Sequence, residues 1–140
     1  MTHEEEILSR AGVRPTAIRV LVLREIEALD HTFTLAQMEE RLDTLDRSTL
    51  FRTLSLFREN HILHEVDNGS GSMLYCKCAC YPIHTSHIHF TCTVCGRTFC
   101  IKDIDGAQIP RPVGFDVEEI NCVMKGVCPE CKKRASDMVK

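Results

Sequence analysis

The chain has no apolar run near the roughly 18 residues that a membrane span needs. Its start lacks the basic and then apolar pattern of an export signal, since Met1-Thr-His-Glu-Glu-Glu6 is acidic. These absences point to a soluble protein of a reducing cytoplasm. Cysteine is missing from the first half: the 140 residues hold nine, all at or beyond Cys76. An odd count fits poorly with a complete disulfide framework, so reduced, metal-binding thiols are the better account. A basic excess is lacking too. Residues 1–67 carry eight arginines against thirteen acids, a balance of −5. A generic nucleic-acid binder is usually basic overall, so charge alone favours a solvated surface here.

What is present is concentrated in two knuckles, Cys92-Thr-Val-Cys95 and Cys128-Pro-Glu-Cys131, separated by 32 residues. A C-x-x-C turn aims both sulfurs at one point, and four thiolates so arranged can close a tetrahedron around a structural zinc ion. Gly96 and Gly126 let the backbone bend tightly beside a metal. Disulfides and catalytic dithiol chemistry are the alternatives. No βαβ pattern precedes either pair, which argues against a dithiol oxidoreductase, so the chain reads as no enzyme.

The cysteine boundary divides the chain into two lobes, 1–75 and 76–140. At about 70 residues each, their cores are marginal without a metal or a partner chain. A structural zinc contributes on the order of 10 kcal/mol to folding, enough to staple the second lobe.

In the first lobe, residues 4–11 form a short amphipathic helix stopped by Gly12. Residues 16–29 form a second, with Ile18, Leu21, Val22, Ile26 and Leu29 spaced for one buried face. Thr34 caps a third carrying Leu35, Met38 and Leu42. Asp46 or Ser48 caps a fourth that reaches Asn60, with Leu50, Leu54 and Phe57 on its apolar side. The run Asp67-Asn-Gly-Ser-Gly-Ser72 between residues 63–66 and 73–77 signals a hairpin. Helices followed by a hairpin are the order of a winged helix-turn-helix. Arg47, Ser48, Thr49 and Arg52 cluster toward the N-terminal half of the fourth helix, the end that usually enters a major groove. In the second lobe, residues 89–92, 97–101 and 115–124 read as strands, Cys122 as a small buried residue of the last one, and 129–139 as a helix. The fold class expected is α+β.

Arg14-Pro-Thr16 with Arg19-Val-Leu21, Ser48-Thr-Leu-Phe-Arg-Thr-Leu54, His87-Ile-His89 leading into Cys92-Thr-Val-Cys95-Gly96, and Gly126-Val-Cys128-Pro-Glu-Cys131 together resemble the ferric-uptake-regulator family. The resemblance spans about residues 10–131. It implies a homodimeric bacterial repressor that binds double-stranded DNA at a palindromic operator, with an N-terminal winged helix, a hinge and a C-terminal α/β dimerisation domain. It also implies a structural zinc on Cys92, Cys95, Cys128 and Cys131 and a second, sensing metal near the hinge. Thr49, Phe51 and Arg52 take base-contacting positions, and Arg14 one that reaches into an A·T-rich minor groove. Phe51 stands where tyrosine is usual; packing inside the helix bundle is the other role open to it.

The donors around that hinge are His64, Cys76, Cys78, Cys80, His84, His87, His89 and Cys100, with His31 outlying. Two positions that hold carboxylates in iron-type relatives are thiols here, Cys100 and, nearby, Cys76. Sulfur with imidazole selects zinc over manganese or ferrous iron. The zinc-uptake branch looks closest, and its pattern matches His64, Cys76 and His84. A rival set uses His87 and His89, two apart and therefore on one face of a strand, with Cys76 and Cys100. The function implied is a zinc-responsive repressor of metal uptake genes; the alternative is an iron-, haem- or thiol-redox-responsive regulator on the same scaffold.

Overall fold

Thr2, Thr16, Thr34 and Asp46 each accept a hydrogen bond from the backbone N–H three residues on, and so fix where the first four helices begin. These are α1 (His3–Arg10), α2 (Ala17–Glu27), α3 (Leu35–Arg41) and α4 (Arg47–Glu59). The computed structural model describes residues 1–77, 86–101, 109–118 and 120–138. The chain forms two compact units, Met1–Tyr81 and Pro82–Lys140. Among the described residues no helix is long and apolar enough to cross a membrane.

In the first unit the helices enclose a core that includes Leu8, Ile26, Met38, Leu50, Leu54 and Phe57. An antiparallel hairpin of β1 (His64–Val66) and β2 (Leu74–Cys76) follows. Phe33 bridges to Tyr75 through both backbone hydrogen bonds, and their rings stack 5.5 Å apart. The hairpin is thereby fastened to the segment before α3, and the unit is a winged helix. One expectation needs correction. Helix α2 buries Val22, Leu23 and Ile26, while Ile18 is 40% exposed and Leu21 is exposed as well. The core packs on the 22/23/26 side, where the other helices of the bundle meet α2 and Val20 adds a partly buried contact. Of the two caps considered for α4, Asp46 is the one that bonds, to the Thr49 N–H at 3.2 Å.

The second unit is a three-stranded sheet of β3 (Ser86–Cys92), β4 (Thr98–Cys100) and β5 (Ile120–Gly126), in the order β4-β3-β5, followed by α5 (Pro129–Met138). β3 pairs antiparallel with β4 and parallel with β5. The last strand begins at Ile120 rather than 115, and Phe115 is exposed. Strand backbone needs a partner ladder, and the described pairing with β3 starts only at Ser86↔Ile120. Cys122, expected as a buried small residue, is half-buried opposite Ile88.

Two changes test the first unit. Phe57→Ala is expected to lower its stability by about 3–5 kcal/mol, because a fully buried aromatic leaves a cavity; urea unfolding measures this. Hydrogen bonds from Thr49, with the Arg52 charge adding to them, hold the Asp46 carboxyl below its ordinary 3.8. The contribution of this cap is therefore complete above that value and lost as pH falls through the lower folded one. Asp46→Asn, which can still cap, should unfold in urea with less pH dependence between about pH 2 and 5.

Candidate metal centre and nucleic-acid interface

Parallel strands leave a sheet at the same end, and here Cys92 at the end of β3 faces Gly126 at the end of β5. Each strand then runs into one knuckle, which is why residues so far apart in sequence meet. The sulfurs of Cys92, Cys95, Cys128 and Cys131 all lie within 4.8 Å of one another, and Cys95 Sγ is 3.9 Å from Cys128 Sγ. Four thiolates about 2.3 Å from one zinc stand about 3.8 Å apart, so the set fits such an ion. The seven described cysteines form no disulfide among themselves.

Backbone geometry prepares the site. Cys92 Sγ accepts N–H groups from Val94, Cys95 and Cys128, each at 3.4 Å. Those from Cys95 and then Cys128 bring its pKa down to about 6. Cys95 is lowered as well, first by the Arg97 guanidinium, which donates to its sulfur at 3.3 Å. Burial pushes the Cys131 thiol up to about 12. Two sulfurs are thus disposed to ionise and one resists, a mixture that a bound cation resolves by supplying the missing positive charge. Gly96 has φ 78°, the left-handed conformation that returns the chain as β4. A Cβ on Gly126 would sit 3.2 Å from the Phe90 ring, which packs on the thiol cluster with Phe99.

Alternation along β3 separates two donor sets. Ile88, Phe90 and Cys92 share the face of the four-cysteine cluster, while His89 and Thr91 take the other. On that second face His89, only 1% exposed, lies directly opposite the half-buried Cys100. In the first unit the half-buried His64 lies directly opposite the buried Cys76. Each unit therefore presents one imidazole and one thiol as cross-strand neighbours, a separation of about 5 Å between Cβ atoms. Residue 87 belongs to β3, but its side chain, and all of His84, Cys78 and Cys80, lie outside the described residues. His31 bonds through Nδ1 to its neighbour, the Thr32 carbonyl, at 2.6 Å.

The candidate nucleic-acid face lies on the first unit. Arg47, Ser48, Phe51 and Arg52 are exposed on α4 and Thr49 is half-buried. Phe51 is 48% exposed, so it does not pack within the bundle. Between α2 and α4 a groove of about 300 Å³ is lined by Thr16, Ile18, Arg19, Thr49, Arg52 and Leu56 among others. Arg14 is exposed and its carbonyl accepts from Arg19 at 2.8 Å. Arg47 is held by Glu39 at 2.6 Å and Arg58 by Glu65, whereas Arg14, Arg19 and Arg52 make no ion pair among the described residues. Sequence reasoning passed over Ile18 and Arg19 as groove residues and Arg97 as a thiol partner. The first two lay within a helical apolar pattern, and the third was one unremarkable residue after a Cys-Gly turn.

The profile of the ferric uptake regulator family matches residues 10–124. A zinc uptake regulation protein of Mycobacterium tuberculosis is 23% identical over 133 residues, 89% of this chain and 99% of the relative. The peroxide operon regulator of Bacillus subtilis is 25% identical over 137 residues, 92% of this chain and 91% of the relative. A solved zinc uptake regulator complexed with zinc and DNA superposes with a TM-score of 0.65 at 22% identity, covering 97% of this chain and 99% of that one. At that identity the likeness establishes the shared α+β fold.

Cys128→Ser removes the sulfur 3.9 Å from Cys95 Sγ and should abolish stoichiometric metal retention on native mass spectrometry. Limited proteolysis of that variant is expected to cut the second unit first, because a small core of thiols and two phenylalanines loses its centre.

Proposed function

The chain belongs to the ferric uptake regulator family, and on that premise we propose that it is a zinc-responsive repressor of metal uptake genes that acts in the cytoplasm as a homodimer on a palindromic operator. Members of the family are metal-responsive DNA-binding transcription regulators, not enzymes. The observation that carries the zinc reading is the donor chemistry. His64 with Cys76 and His89 with Cys100 make two matched imidazole–thiol pairs at facing strand positions. Sulfur and imidazole favour zinc over the oxygen-rich coordination suited to manganese.

Two donors hold zinc poorly and four hold it well, so neither pair is sufficient alone. We assign the sensing role to His64, Cys76, His89 and Cys100 together, with His84 and His87 as the other candidate donors. Cys92, Cys95, Cys128 and Cys131 are assigned to a separate structural zinc. When bound, the sensed ion supplies a Lewis-acid centre that holds its donors in one arrangement. Metal held by these donors would order the chain around them, and in a dimer that order would be read as the spacing of the two recognition helices.

The wing is well placed to pass such a restraint on. The Ile62 N–H bonds to the Phe57 carbonyl at 2.8 Å, and Arg58 of α4 pairs with Glu65 of β1. His64 and Cys76 flank that pairing, so fixing them steadies α4. Thr49, Phe51 and Arg52 then meet base edges, Arg47 and Ser48 the phosphates, and Arg14 the adjacent minor groove. Phe51 offers its ring to a thymine methyl group without a hydroxyl.

Metal-buffered DNA binding tests the reading. Protein retaining one tight zinc per chain is titrated with free zinc, ferrous iron and manganese against a palindromic fragment from upstream of its own gene. Binding should switch on with zinc alone and fall at least tenfold in Cys76→Ser and Cys100→Ser, a coupling of about 1–3 kcal/mol. Zinc-independent binding that peroxide or haem releases would transfer the assignment to a thiol or haem sensor. Arg52→Ala and Phe51→Ala should each lose roughly 1–3 kcal/mol of operator affinity with zinc content unchanged, as fluorescence anisotropy and metal analysis would record.

A further inference from the structure

Among the four knuckle sulfurs Cys95 is the exposed one; Cys92, Cys128 and Cys131 are buried. Arg97 covers that weak point. Its Nε donates to Cys95 Sγ at 3.3 Å, its Nη2 meets Glu130 Oε2 at 2.5 Å, and its guanidinium lies 5.4 Å from the centroid of the Phe99 ring. Glu130 sits inside the second knuckle, between Pro129 and Cys131, and is itself held by Arg134 at 2.8 Å. The guanidinium is therefore fixed on three sides: a sulfur of the first knuckle, a carboxylate of the second, and an aromatic face beneath both. A planar fork can serve these partners at once, which a lysine ammonium on a flexible stem cannot.

We propose that Arg97 is a positioning residue for the four-cysteine centre, clasping its exposed sulfur to the opposite knuckle through Glu130 and thereby setting how slowly the centre gives up its ion. The inference rests on the reading of these thiols as a zinc site. Four thiolates around a divalent cation carry a net charge of −2, and Arg97 supplies a compensating charge in direct contact. The hydrogen bond also engages a sulfur lone pair that a proton or electrophile would otherwise attack, the step that frees the thiolate from its ion. Outer-shell partners of this kind change metal affinity by roughly 10–100-fold when removed.

The test uses the full-length zinc-loaded protein and the chromophoric chelator 4-(2-pyridylazo)resorcinol in excess. Zinc release is expected to be at least about tenfold faster in Arg97→Gln. Arg97→Lys should fall between the two, since it keeps the charge and loses the fork. Glu130→Gln should shift release in the same direction by less, because Arg97 keeps its bond to sulfur and loses only its tether. Cobalt(II)-substituted protein gives an independent readout: loss of the N–H···S bond in Arg97→Gln should move the sulfur-to-cobalt charge-transfer band. Arg134→Gln, which loses an ion pair with Glu130 and no bond to a sulfur among the described residues, should leave that band in place. Arg97 variants that bind one zinc per chain with the unaltered release rate and spectrum would overturn the proposal while leaving the zinc centre intact. A parent protein that retains no zinc would instead overturn the zinc reading, and the clasp with it.

Discussion

The parallel pairing of β3 with β5 is the constraint from which the second unit follows. Because the register sets Cys92 against Gly126, both strands end on the same edge, and each hands its chain to a C-x-x-C turn there. The two turns are built differently. The first is the loop of an antiparallel hairpin, closed by hydrogen bonds from the Cys92 N–H to the Arg97 carbonyl and from the Gly96 N–H to the Cys92 carbonyl, both at 2.9 Å. The second opens α5, with Pro129 at its first position, where a missing N–H costs nothing. The Thr93 N–H and hydroxyl both bond to the Gly126 carbonyl, at 2.7 and 3.0 Å, and lock one turn to the other. A shift of one residue in that register would turn alternate side chains to the wrong face and separate the knuckles.

The same strand also keeps two kinds of chemistry apart. Its alternation gives Phe90 and Cys92 to the thiol cluster and His89 to the opposite face, where Cys100 is its neighbour on β4. On the proposed reading, a structural ion and a sensed ion are served by one short strand without sharing a ligand. The sheet itself is the partition. The structural centre can then remain loaded while the other responds to supply, provided its own release is slow.

Features set by local chemistry were legible in the sequence. Caps at Thr34 and Asp46, the apolar side of α4, the hairpin after it and the two knuckles depend on contacts within a few residues, and they stand where spacing put them. What depended on a distant partner was not legible. The buried side of α2 is decided by the bundle it packs against, and a pattern rich in leucine, isoleucine and valine allows more than one answer over eleven residues. Where β5 starts is decided by where β3 can pair with it, not by the apolar character of Phe115 and Val117. Arg97 had no signal in the sequence, since its role comes from Glu130, brought beside it by the strand register. Which histidine faces which cysteine was not legible either: strand register sets His64 opposite Cys76 and His89 opposite Cys100.

The acidic first unit shows why net charge misleads about nucleic-acid binding. Among the described residues, four of its thirteen carboxylates pair with its own arginines: Glu4 with Arg24, Glu25 with Arg41, Glu39 with Arg47 and Glu65 with Arg58. Arg19 and Arg52 line the groove with the exposed Ile18, and neither they nor Arg14 is ion-paired among the described residues. So small a cationic footprint neutralises few phosphates, and each contact contributes about one unit to the salt dependence of affinity. Nonspecific attraction is accordingly weak, and for a regulator of the proposed kind that weakness is useful. A metal-dependent coupling of about 1–3 kcal/mol can switch occupancy only where the uncoupled protein sits near half-saturation. A strongly basic face would hold DNA in either state and leave the metal little to decide.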